Sequence, residues 1–292
     1  MIKRVLPDSG KNVVRNGLRG WGRATAGLRP LPDFLVIGTK RGGTTSLWNY
    51  LLSHPGVLPM FPSPLNIKSP HYFYWHYANG PLWYRSHFAS TPTRTVLSRL
   101  RGAPTRTGEA SPNYLYDPRV PARAAELLPT AKVIMLLRDP AERAYSHYKE
   151  RVRAGVEDLS FEDALAAEPG RLAGEAEKMQ ADPYYYSRPY DYYAYQDRGV
   201  YAPQIERWQQ QVPAERLLIL RSEDFYDEPA TVFNQVTRFL ELPDRPLQNA
   251  RRYNYHAASG MEPATRSALH EFFAEPVADV EKLLGREMGW LQ

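Results

Sequence analysis

The chain has no cysteine, which excludes disulfides, thiolate nucleophiles and cysteine metal sites. It has no apolar run long enough to cross a bilayer and no secretory hydrophobic region near its start, so the expected location is the cytoplasm. Internal repeats and low-complexity blocks are also missing, and lysine is scarce beside arginine, a bias that points to a GC-rich bacterial source. The formal net charge is +5, but the excess is local. Residues 1–30 hold Lys3, Arg4, Lys11, Arg15, Arg19, Arg23 and Arg29 against Asp8, a balance of +6 that leaves −1 for the remainder. A near-neutral body needs only local basic clefts, so bulk charge does not indicate a nucleic-acid partner. The length, 292 residues, suits one domain at 32–292 behind a basic, flexible extension at 1–31. Arg15, Arg19 and Arg23 recur every four residues. That spacing fits either a solvated tail or a helical face for peripheral contact with an anionic membrane.

What is present is concentrated first in Phe34 to Ser46, FLVIGTKRGGTTS, an apolar strand joined to a helix through a glycine loop. Gly38 and Gly43 have the separation of a Walker A motif and Thr45 stands at its hydroxyl position, but Thr44 occupies the lysine position and the lysine lies inside the loop at Lys40. A nucleoside triphosphatase uses its lysine on the terminal phosphates with the adjacent hydroxyl on magnesium, and that pair is broken here. Gly42 and Gly43 still let backbone N–H groups approach an anion, and the helix beginning near Thr44 adds its positive end. Lys40 and Arg41 add full charges.

A second motif runs from Lys132 to Ser146, KVIMLLRDPAERAYS. Lys132 to Leu137 is rich in strand formers, and Asp139 followed by Pro140 reads as an N-cap and first helical residue, so Arg138 sits at a strand's carboxyl end. Ligands bind at that edge of open α/β sheets. The Arg138 guanidinium suits a phosphate, and Ser146, two turns into the helix, adds a hydroxyl. The bland alternative pairs Arg138 with Asp139 or Glu142. The expected architecture is an α/β, three-layer, P-loop-like fold with a mostly parallel central sheet flanked by helices.

With both motifs in order, the chain resembles the sulfotransferases that use 3′-phosphoadenosine 5′-phosphosulfate, especially the branch acting on glycans. The resemblance implies that Lys40, Arg41, Gly42, Gly43, Thr44, Thr45 and Ser46 cradle the 5′-phosphosulfate and that Arg138 and Ser146 hold the 3′-phosphate. Arg252 and Tyr253 fall where relatives close a loop over the nucleotide. The resemblance also implies Lys40 as the catalytic cation, no required metal, and a glycan, glycolipid or small-molecule acceptor sulfated on a hydroxyl or amine.

Residues Asn66 to Phe73 resemble the family's K-E-x-H-F-F segment beside the acceptor, with Lys68 and His71 retained but Ser69 in place of the glutamate assigned as base. Gly108 to Tyr114 resembles E-K-S-P-x-Y, with Glu109, Ser111 and Asn113 toward the acceptor and Ala110 in place of the lysine. The base is therefore expected from His71 or Glu109. Both departures place the heparan-type acceptor in question.

Residues 155–197 read as an insertion or lid on the acceptor side, with a helix from Ser160 that Pro169-Gly170 ends. Its tyrosines suit either packing or an aromatic wall for a sugar. Two other classes compete with the sulfotransferase: a P-loop kinase of a small metabolite, and a catalytically silent nucleotide-binding protein. Thr44 at the lysine position, and Arg138 where an aspartate would hold magnesium, weigh against the kinase.

Overall fold

The computed structural model describes residues 8–248, 250–251 and 260–291. Five strands, β1 (Phe34–Gly38), β2 (Val57–Leu58), β3 (Arg106–Ala110), β4 (Lys132–Leu137) and β5 (Leu217–Arg221), form one sheet in the order β2-β3-β1-β4-β5. All its pairs are parallel. The helices before β4 are α1 (Asp8–Ala24), α2 (Thr44–Ser53), α3 (Gly80–Arg85), α4 (Thr91–Arg101) and α5 (Val120–Leu127). After it come α6 (Pro140–Arg153), α7 (Phe161–Leu172), α8 (Glu175–Ala181), α9 (Arg188–Tyr192), α10 (Ala202–Gln209), α11 (Ser222–Asp227), α12 (Pro229–Phe239) and α13 (Pro263–Leu284).

Every residue of β1 is buried, so both faces of the sheet are covered there, as a central parallel strand requires. From β1 the chain passes through α2 to β2 at one edge, and after β3 it crosses to β4 on the other side of β1, which puts the switch point of the sheet at the carboxyl ends of β1 and β4. The loop at 39–43 and the turn at 138–139 both open into that crevice. Asp139 caps α6 as its sequence implies: its Oδ1 accepts from the N–H groups of Ala141 (2.8 Å) and Glu142 (3.0 Å), with Pro140 at the first helical position.

Several expectations change. Residues 15–31 are not a loose tail, because Arg19 of α1 and Arg29 beyond it tie this segment to the domain. Arg19 donates to the Phe61 carbonyl (3.2 Å) and to Ser86 Oγ (3.3 Å), and Arg29 donates to the Phe88 carbonyl (2.5 Å) with its guanidinium 4.0 Å from the centre of the Phe61 ring. A basic run reads as solvated until folding supplies buried carbonyls that need donors. The four-residue basic face is therefore split: Arg19 turns inward while Arg15 and Arg23 are exposed. The segment after α2 contains β2, α3 and α4. Pro169 lies inside α7, since a proline near a helix end forfeits few hydrogen bonds. In β5 Leu220 alone is buried, because β5 is an edge strand.

Candidate active site

The loop after β1 is shaped by two glycines. Gly43 caps α2 at φ 93°, in the left-handed region, and a Cβ there would meet the Tyr226 hydroxyl at 2.8 Å. A Cβ on Gly42 would lie 2.8 Å from the Leu136 carbonyl oxygen. The loop is joined to β4 by the Thr39 N–H donating to the same oxygen (2.5 Å). The second motif is joined to it as well: Arg138 Nη1 donates to the Arg41 carbonyl (3.1 Å), and Arg41 Nε donates to Ser146 Oγ (3.0 Å).

These groups surround one cavity of about 570 Å³, a size that suits a nucleotide-like ligand. Lys40, Arg41, Gly43, Thr44, Thr45, Arg138 and Ser146 all line it, so seven of the predicted donor-binding residues converge. Gly42 and Ser46 are buried and do not line it; they shape the loop and the base of α2 instead. Arg252 and Tyr253 lie outside the described residues.

Two lysine ammonium groups are desolvated in the loop. Lys40 Nζ donates to the carbonyl (2.6 Å) and to Oδ1 (3.1 Å) of Asp191, and burial lowers its pKa to about 8 against the raising effect of that carboxylate. Lys68, expected beside the acceptor, lines the same cavity: its Nζ donates to Thr44 Oγ1 (2.9 Å) and Thr45 Oγ1 (3.0 Å). Burial, with a smaller effect from Arg41, lowers it to about 7. A lysine from a distant segment thus rests on the threonine that displaced the Walker lysine. A bound anion favours the charged form of both groups, so the cavity suits a polyanion.

Ser69, His71, Glu109 and Ser111 do not line this cavity; Glu109 and Ser111 are buried, and His71 is half-buried. The Glu109 carboxyl is fully buried and accepts from Ser69 Oγ (2.5 Å), Tyr84 OH (2.6 Å) and Tyr114 OH (3.0 Å). Burial raises its pKa to about 7 although all three hydroxyls pull it down. Enclosed in this way, Glu109 does not meet an acceptor directly, which corrects its expected role as a base; it reaches outward through Ser69. The His71 N–H donates to Ser69 Oγ (2.9 Å), and its Nδ1 lies 3.4 Å from Ser111 Oγ. Burial lowers His71 to about 4, leaving a neutral imidazole at pH 7. Asn113 donates from Nδ2 to Asp191 Oδ1 (2.8 Å) and accepts from Arg198 Nη1 (3.0 Å).

Asp191 and Arg198 escaped the sequence reading. No local signal marks Asp191, which lies 151 positions from Lys40 among tyrosines. Those tyrosines mostly pack: Tyr190 stacks on Tyr116, Tyr186 on Trp75, and Tyr195 is buried against His147. Tyr226 and Trp290 also line the cavity from beyond β5.

Residues 31–275 match a family model described as a sulfotransferase domain. The chain is 33% identical over 239 residues to bifunctional heparan sulfate N-deacetylase/N-sulfotransferase 4 of Mus musculus, an alignment covering 80% of this chain and 24% of that protein. It is 25% identical to membrane-associated sulfotransferase kil1 of Dictyostelium discoideum, over 89% of this chain and 66% of the other. A sulfotransferase structure from Alicyclobacillus acidocaldarius aligns with a TM-score of 0.64 at 27% identity, covering 88% of this chain and 97% of that one. The chain spans about a quarter of the length of the bifunctional relatives it matches.

Proposed function

This chain belongs to the sulfotransferase family, and we propose that it transfers a sulfuryl group from 3′-phosphoadenosine 5′-phosphosulfate to a hydroxyl or amine of a glycan, glycolipid or small-molecule acceptor. The observation that carries this reading is the sharing of one cavity by Lys40 and Arg138, cations from two separate motifs, beside a glycine loop at a helix N-terminus. In an in-line displacement the acceptor atom bonds to sulfur as the bond from sulfur to the 5′-phosphate oxygen breaks, and the electron pair leaves on that oxygen. Lys40 and Lys68 are placed to offset its charge, with Thr44 and Thr45 fixing Lys68. Arg138 and Ser146, joined through Arg41, supply the 3′-phosphate contacts. These side chains already provide the positive charge, so the reading calls for no metal.

The acceptor's proton goes to His71 in this reading, since its imidazole is neutral and sits beside Ser69 and Ser111. Truncation of His71 to alanine is expected to lower the acceptor-saturated rate by about 10²-fold and to alter its pH profile; an unchanged profile removes His71 from that role. A glycan is the first acceptor class to test, with Ser69 and Ala110 as the reasons a heparan-type substrate does not transfer automatically. The absence of cysteine suits a reducing cytoplasm.

Calorimetry without magnesium is expected to show tight binding of 3′,5′-bisphosphoadenosine and weak binding of ATP. The reverse ranking supports the kinase. Incubation of the protein with isotopically labelled donor and a cell extract, read by mass spectrometry for products that gain sulfate, identifies the acceptor.

A further inference from the structure

We propose that Asp191, carried on α9 in the 155–197 insertion, is a positioning residue for sulfuryl transfer: it aims the Lys40 ammonium and holds it as a cation at the rim of the donor cavity. The proposal rests on the sulfotransferase reading for its chemistry but on geometry for its residues. Asp191 takes Lys40 at two points, its own carbonyl (2.6 Å) and Oδ1 (3.1 Å). The carboxylate is itself held, Oδ1 by Asn113 Nδ2 (2.8 Å) and Oδ2 by the Tyr186 hydroxyl (2.7 Å), with Arg198 at 4.0 Å. The Lys40 side chain is 12% exposed and that of Asp191 14%, so water does little to screen the pair.

The other titratable groups facing Lys40 do not take the place of that anion. Arg198, beyond α9, and Arg151, on α6, are cations that disfavour its charge. His147 on α6 is fully buried and held neutral, and His71 is neutral as well. Tyr192 offers a ring face at 5.9 Å. Among the described residues Asp191 is the carboxylate within ion-pair distance of Lys40. Removing it leaves a desolvated ammonium facing two guanidinium groups, which drives Lys40 toward a neutral amine that cannot offset charge on a leaving oxygen. Asp191 is not itself the base: Lys40 and Arg198 hold its carboxyl well below the usual range, and both oxygens are engaged.

The test reads the protonation of Lys40 directly. Pulsed labelling with an amine-reactive reagent across a pH series, quantified by peptide mass spectrometry, is expected to give a wild-type midpoint near about 8. In Asp191→Asn the midpoint falls by at least about one unit, a tenfold rise in the ratio of neutral to charged amine, and Asp191→Glu returns it toward wild type. Asn113→Ala, which removes the Nδ2 donor that fixes Oδ1 beside Lys40, moves it in the same direction and serves if the aspartate variant fails to fold. The affinity for 3′,5′-bisphosphoadenosine is expected to weaken about tenfold in Asp191→Asn near pH 8 and little near pH 6. A midpoint within about 0.3 unit of wild type in both Asp191→Asn and Asn113→Ala overturns the proposal. Failure of the wild type to bind the bisphosphate overturns the sulfotransferase reading instead, and leaves the labelling result standing.

Discussion

At the scale of single residues, the proposed function divides the site into groups that hold the nucleotide and groups that act on it. Arg138 presents a planar fork to the cavity, and Lys40 meets it at the rim where the lid and the loop join. Arg138→Ala is therefore expected to weaken nucleotide binding by at least about tenfold. Lys40→Ala is expected to lower transfer by about 10²-fold or more while affinity stays within about tenfold. Calorimetry beside product mass spectrometry distinguishes the two, and equal losses in both quantities for both variants contradict the division. Glu109 has a consequence for stability. Its folded pKa is raised from 4.5 to about 7, so between those values the native protein keeps a proton that the unfolded chain releases. The resulting contribution is complete below about pH 4.5 and is lost as pH rises through about 7, a change of roughly 3 kcal/mol. Denaturant unfolding at about pH 5 and pH 8 should show wild type losing more stability than Glu109→Gln over that interval. Parallel curves refute it.

At the scale of elements, the loop between β1 and α2 depends on a left-handed residue at Gly43. Gly43→Ala adds about 1–2 kcal/mol of backbone strain and presses on Tyr226, so thermal unfolding should occur several degrees lower with weaker bisphosphate binding. An unchanged melting temperature means that the loop relaxes freely. Elements with local punctuation were legible from the chain: β4, its Asp139 cap and α6 follow from the eight residues 132–139 and a proline, and the start of α2 from the glycine loop before Thr44. β2, two residues long, was not, because it owes its existence to pairing with Arg106 and Thr107 of β3. Nor was the docking of α1, since an arginine's partner carbonyl has no mark in sequence.

At the scale of the whole molecule, the loop after β1, α2, the segment before α3, the turn after β4, α6, α11 and residues 289–290 close one cavity, so ligand binding should stabilise the fold as a unit. Bisphosphate at about one hundred times its dissociation constant is expected to add about 2.7 kcal/mol, read as a shift of the thermal transition that the same concentration of ATP does not match. Equal shifts would argue against selective recognition. The sequence by itself determined the α/β class, the glycine loop after β1 and the place of Arg138 at the end of a neighbouring strand, because these depend on strand patterning, glycine and caps acting over a few neighbours. Only the tertiary structure decided that Lys68 rests on Thr44, that Glu109 lies sealed behind Ser69, and that Asp191 clasps Lys40. Those outcomes depend on desolvation and on contacts between segments far apart in the chain, quantities that a residue acquires only when other parts of the molecule enclose it.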